Sequence, residues 1–244
     1  MPVPGTERAP AGSAARRARA ERILDAAAEL LQLHGYRRLS IDDVAARARV
    51  GKGTIYLHWK TREALFWAAL QREAMRLLDD LVIKLGEDAE LALPHRLMRA
   101  IFIEVLRRPL VKAVLLSDAE VLGALAVDDS VAAAQRELAG NPDYLDLLAR
   151  HGLLRPGLTL SSAGHILGSV MRGFFSGQDA DGNSGHDGGL PVNQRADLLA
   201  EVLARTLETG PPFPAEAVTA LRAEVIELFR TITAIQRAQL ERAY

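Results

Sequence analysis

Lys52, Thr54, Tyr56, His58, Lys60 and Arg62 gather six hydrogen-bonding side chains, most of them basic, within eleven positions; Gly53 and Leu57 lie among them. Groups of these types donate to phosphate oxygens and base edges, and a projecting leucine suits a thymine methyl. Ser40 lies twelve residues upstream and is a further hydroxyl for a phosphate. The chain holds no G-x-S-x-G, H-E-x-x-H, Walker or G-x-G-x-x-G pattern, so turnover is not expected. Asp179-Ala180-Asp181-Gly182-Asn183 begins like an EF-hand loop. It fails as one, because Ser184 replaces the turn glycine and Leu190 the bidentate glutamate. No metal or cofactor is expected.

Three helices must position these groups. Ser40 and Asp43 form an S-x-x-D start signal, and Ile41, Val44, Ala45 and Ala48 then recur on one helical face. Arg49-Val50-Gly51 breaks that period. Ile55 and Trp59 restart it four residues apart; with both turned inward, Gly53, Thr54, Leu57 and His58 project outward and Lys52 sits at the helix tip. Thr61 is placed to cap a third helix with Glu63 in its first turn. Two short helices joined by a three-residue turn form a helix-turn-helix, whose second helix reads base edges.

Val50-Gly51-Lys52-Gly53-Thr54-Ile55-Tyr56-Leu57-His58-Trp59, with Thr61-Arg62-Glu63-Ala64-Leu65, resembles the signature of the tetracycline-repressor (TetR) family of bacterial regulators. Ile23-Leu24-Asp25-Ala26-Ala27, Leu30-Leu31, Gly35-Tyr36 and Ser40-Ile41 look like that family's first helix and its exit. The match spans roughly residues 18 to 68. The resemblance implies an all-α homodimer, usually a repressor, whose larger C-terminal domain binds a small molecule and releases operator DNA. The expected division is an arm over 1–15, disordered by composition, a DNA-binding domain over 16–66, and a ligand-binding and dimerisation domain over 67–244. Lys52, Gly53, Thr54 and Leu57 are expected at base edges, and Tyr56, His58, Lys60, Arg62 and Ser40 at phosphates. Two heads on one dimer imply a palindromic site.

The sequence departs from the family pattern at specific places. Arg49 stands where a turn glycine is usual, and a positive φ there costs about 1 kcal/mol. Gly51 replaces a capping serine, Leu57 a tyrosine and Trp59 a phenylalanine. Leu57 and Arg49 keep open an alternative: a ligand-binding or scaffolding dimer without specific DNA recognition.

Charge is distributed unevenly. Residues 1–66 carry twelve Lys and Arg against seven Asp and Glu, whereas the rest carries eighteen against twenty-four, which the net charge of −1 conceals. A basic head on an acidic body suits phosphate attraction. Arg16, Arg17, Arg19 and Arg22 either reach phosphates or form a solvated helix face.

With no cysteine, disulfides and thiol chemistry are excluded. The uncharged run Gly157–Met171 is too short and polar to span a membrane. No apolar leader follows Met1, so a cytoplasmic location is expected.

Downstream, apolar periodicity predicts helices over Arg62–Gly86, Leu91–Arg108, Leu110–Leu125 (as one or two short helices), Ser130–Gly140, Tyr144–His151, Leu160–Ser176, Asn193–Thr209 and Ala215–Tyr244, with a flexible glycine-rich loop at 177–189. Val218, Leu221, Val225, Leu228, Ile232 and Ile235 form a heptad-like seam that fits a partner subunit or an intramolecular core. The resemblance places the dimer interface instead on Leu160–Ser176 and Asn193–Thr209, where Gly164, Gly168 and Ser169 allow close approach. It also implies an effector pocket between Arg62 and His151. Trp67, Met98, Phe102, Leu106, Tyr144 and Leu147 are its candidate lining, with His95, His151 or His165 as polar groups. Low aromatic content favours an aliphatic pocket and an apolar or amphipathic effector.

Overall fold

The computed structural model describes residues 11–127, 142–176 and 190–242. Within them the protein is all-α, with an isolated β-bridge between Leu154 and Glu208. The helices are α1 (Ala11–Arg38), α2 (Ile41–Ala48), α3 (Lys52–His58), α4 (Arg62–Glu87), α5 (Pro94–Leu106), α6 (Pro109–Leu116), α7 (Ala119–Leu122), α8 (Pro142–Arg150), α9 (Leu160–Ser176), α10 (Val192–Leu207) and α11 (Ala215–Glu241). Short 3₁₀ turns at Ala89–Ala92 and Gly123–Val127 follow α4 and α7. The expected helix over Ser130–Gly140, the glycine-rich loop at 177–189 and residues 1–10 of the arm lie outside the described residues.

The arm was expected to reach residue 15, but α1 already starts at Ala11. Ala11, Ala14 and Ala15 are strong helix formers, so intrinsic propensity extends the helix into that composition-biased stretch. At its other end Gly35, with φ 68° and ψ 164°, breaks α1. The predicted Leu110–Leu125 segment divides at Ser117, which takes a left-handed conformation, and Asp118, which caps α7 by accepting from the N–H groups of Glu120 and Val121.

Two apolar cores share α4. Its first half buries Leu65, Phe66, Leu70 and Met75 against α1, α2 and α3, and its second half buries Leu77, Leu81 and Leu85 against the body. The position expected for the domain boundary, 66/67, therefore falls inside a continuous helix. The head's core also takes Leu110, Ala113 and Val114 from α6, Leu122 from α7 and Leu240 from α11. The body's core unites α5, α8, α9, α10 and most of α11 around Phe102 and Phe175, whose ring centroids lie 5.0 Å apart.

The last helix follows its predicted seam only at first. Val218, Leu221 and Val225 are buried, Leu228 and Ile232 are half-buried, and Ile235 is exposed at 55%. The buried stripe instead continues through Phe229, Thr233 and Leu240. Steps of mostly four residues keep a 3.6-residue helix facing one neighbour, whereas a heptad seam drifts around its surface. α11 is thus packed within its own chain along α4 and tied to it by Arg237–Asp79 at 3.1 Å.

Candidate nucleic-acid interface

Local groups set the head's geometry. Asp43 N–H donates to Ser40 Oγ at 3.2 Å and Ser40 N–H to Asp43 Oδ2 at 2.8 Å, a reciprocal capping box that starts α2. Hydrogen bonds from Ser40 hold the Asp43 carboxyl below its ordinary range. Ile41, Val44, Ala45 and Ala48 are buried, as their spacing predicts. Arg49 then adopts φ 56° and ψ 49°, the left-handed conformation that its place in the turn demands. Gly51 is the N-cap of α3, and Thr61 Oγ1 accepts from Ala64 N–H at 3.1 Å to start α4.

With Ile55 fully buried and Trp59 only 3% exposed, α3 presents Lys52, Gly53, Tyr56 and Leu57 to solvent, and Thr54 is half-buried. Leu57 is 66% exposed, unusually so for a leucine. A Cβ built at Gly53 meets nothing within 4 Å, so nothing within the described fold requires glycine there. Lys52 Nζ pairs with Asp42 at 2.8 Å and Lys60 Nζ donates to the Tyr56 carbonyl at 3.3 Å. Both are exposed contacts of the kind that contribute little and exchange readily for another anion.

Two expectations are corrected by position. His58 does not project outward: it is 5% exposed and its ring packs on Trp59, centroids 5.3 Å apart. Three residues after Ile55, it lies only about 60° from that buried side chain around the helix. Arg62 is also drawn inward. Its guanidinium lies 4.0 Å from the centre of the Tyr36 ring and donates to the Tyr36 carbonyl, which the break at Gly35 leaves near the end of α1.

Tyr36 is the residue that spacing did not single out for a role. Its hydroxyl donates to Glu63 Oε1 at 2.6 Å; burial, reinforced by that carboxylate, pushes its pKa up to about 12. Gly123, at φ 54°, lies so close that an added Cβ would come within 2.6 Å of the Tyr36 ring. In return, a Cβ on Gly35 would come within 2.7 Å of the Glu120 carbonyl oxygen. The end of α1, the start of α4 and the α7 turn therefore meet at one tightly fitted point. The only sequence signal was the pair Gly35-Tyr36; its partner Gly123 is remote in the chain.

Among the candidate pocket residues, Met98, Phe102, Tyr144 and Leu147 are buried in the body's core, and Leu106 packs against it half-buried. Trp67 packs against the head's core instead, because its turn of α4 lies on the head side. His165 is exposed on α9. His151 Nε2 lies 2.8 Å from Glu224 on α11. His95 donates its backbone N–H to buried Glu208 at 2.7 Å and sets Nδ1 2.8 Å from the same oxygen. The Tyr144 hydroxyl donates to the Ala92 carbonyl at 2.9 Å, and burial raises its pKa. Glu104 is buried among Lys84, Arg107 and Arg108. Burial opposes its ionisation, but hydrogen bonds from Lys84 and Arg108 outweigh that and hold its pKa at about 2. No described residues form a group of three or more metal-binding side chains, and no described helix is long and apolar enough to cross a membrane.

Residues 23–69 match the family model described as bacterial regulatory proteins, tetR family. An HTH-type transcriptional regulator of Mycobacterium tuberculosis is 38% identical over 104 residues, covering 38% of this chain and 51% of the relative. The chain thus spans about half the length of that relative. The HTH-type transcriptional regulator AcrR of Shigella flexneri is 28% identical over 168 residues, covering 64% of this chain and 74% of AcrR. The A-factor receptor protein of Streptomyces griseus is 37% identical over 51 residues, 21% of this chain and 18% of the receptor. Among solved structures, the fatty acid degradation regulator FadR from Bacillus halodurans superposes with a TM-score of 0.53 at 19% identity, over 81% of this chain and 96% of FadR, which shows a shared fold. The helix-turn-helix that presents α3 to solvent lies within residues 23–69, the part of the chain that matches the tetR family of bacterial regulatory proteins.

Proposed function

We propose that the protein is a ligand-responsive homodimeric repressor that binds a palindromic operator and is released by a small-molecule effector. The observation that carries this is the outer face of α3: Leu57, Tyr56 and Gly53 are exposed on a helix whose inner face and both ends are fixed by the head's own core. Lys52, Gly53, Thr54 and Leu57 meet base edges; Tyr56, Lys60 and Ser40 meet phosphates. Buried His58 supports the helix, and Arg62 clamps the start of α4 to the end of α1.

The working division is a head over 16–66 and a body over 67–244. Leu160 on α9 and Leu198 and Val202 on α10 are exposed apolar side chains that favour a dimer through those helices. Gly164 and Gly168 contribute less there, since a Cβ added at Gly164 would lie 3.5 Å from Leu145 of its own chain and Gly168 is buried within its own chain. The effector belongs in the body among Met98, Phe102, Leu106, Tyr144 and Leu147, where it shifts head spacing by binding one dimer geometry better than the other. That one relative is named a receptor supports this role. Action is by binding rather than turnover, and it takes place in the cytoplasm.

Selection from a random duplex library by the purified protein, at near-physiological salt, tests the proposal. Recovery of a palindrome supports it; absence of any enriched sequence would count against it.

A further inference from the structure

A groove of about 540 Å³ runs between α1 and the end of α2, walled by Arg22, Asp25, Glu29, Arg47 and Arg49. Both carboxylates are already engaged. Asp25 pairs with Arg72 at 2.8 Å and Arg76 at 3.2 Å, and Glu29 pairs with Arg47 at 2.6 Å. Among the described residues no ion pair or side-chain hydrogen bond engages Arg22 or Arg49. Arg16 and Arg19, exposed at intervals of three before Arg22, extend the basic face along α1. Arg49 also holds a left-handed conformation that glycine would adopt without strain, so a cation occupies this wall where the backbone would favour no side chain.

We propose that this groove is a second DNA-contact surface, in which Arg22 and Arg49 bind phosphates bordering the major groove that α3 enters. The inference rests on the DNA-binding function proposed above. Arg49 lies three positions before Lys52 at the tip of α3, so their Cα atoms lie within about 11 Å of one another. The major groove is about 12 Å wide, which brings its bordering phosphates within reach of an arginine so placed. The free cations outnumber the free anions in the groove, which complements a phosphodiester backbone. Contacts of this type add affinity and orientation without sequence information.

The test is the salt dependence of binding to a fluorescein-labelled random-sequence duplex, titrated over a series of KCl concentrations. Wild type is compared with Arg49→Gly, Arg22→Gln and the double variant. Each lost phosphate contact should flatten the slope of log K against log salt by about 0.9, and the double variant by about 1.8. Affinity should fall by a similar factor on every duplex, while the sequences recovered from a library stay the same. Arg49→Gly should melt no lower than wild type, because glycine suits that backbone, so a shallower slope is not a folding defect. Wild-type slopes in both single variants would overturn the inference and leave a solvated basic face. A wild-type protein that shows no salt-dependent duplex binding would instead overturn the DNA-binding function and this surface with it.

Discussion

Within the head, most turns are fixed by groups three or four positions apart; within the body, the fixing contacts cross most of the chain. Ser40 caps α2 through Asp43 and Thr61 caps α4 through Ala64. In the body, His95 and Glu208 are 113 positions apart, Arg99 and Asp197 98 apart, and Asp79 and Arg237 158 apart. The head is therefore specified by short-range chemistry that also makes a binding surface. The body is specified by which helices happen to meet. Tyr36 is one exception in the head, since it is gripped by Arg62 and Glu63 on one side and by Gly123 of the α7 turn on the other, and Arg72, paired with Glu21 and Asp25 of α1, is another.

The contrast is broken most forcefully in the body. Phe102→Ala removes a fully buried ring that packs on Phe175 and should cost about 3–5 kcal/mol in denaturant unfolding, far more than any exposed change on α3. Acid should also act on the body. The folded pKa of Glu104 is held at about 2, below its ordinary 4.5. Its ionic contribution is therefore fully present above about pH 4.5 and is lost as pH falls through about 2. Acid titration of unfolding stability should show this loss in wild type, and Glu104→Gln should remove that component of it.

At the junction, Gly123→Ala forces the Tyr36 ring to move and places a side chain at positive φ. It should lower stability by about 1–3 kcal/mol and shift the fluorescence of head residues Trp59 and Trp67. An unchanged spectrum with wild-type melting would show that head and body are not fitted together at this point. In the head, Ser40→Ala removes the α2 cap and should cost about 1 kcal/mol, measured by thermal melting. The smallest effect belongs to Ile235→Gln. Its side chain is exposed on α11, so stability should change by less than about 0.5 kcal/mol and the oligomeric state should not change. Loss of the dimer in that variant would restore the heptad seam as an interface.

The heptad seam itself marks where sequence reading stops. Spacing put Val218, Leu221 and Val225 on one seam without deciding what covers it, and carried the stripe on to Ile235 when the buried path runs through Phe229 and Thr233. Periods of 3.5 and 3.6 residues are indistinguishable over two turns and diverge only over the length of a long helix. His58 failed for a related reason, because a seven-residue helix offers no clean outer face at a position 60° from its buried one.

By itself the sequence determined the all-α class, the α2–turn–α3 unit, its caps at Ser40 and Thr61 and the inward places of Ile55 and Trp59. Each depends on residues within one or two turns, where backbone sterics and helical period leave few solutions. Only the tertiary structure decided that Arg62 turns onto Tyr36, that Trp67 joins the head's core, that His165 faces outward and that Leu240 closes the core of the head from the far end of the chain. Those places depend on which distant helices pack together, a choice made by summed apolar burial that no local spacing records.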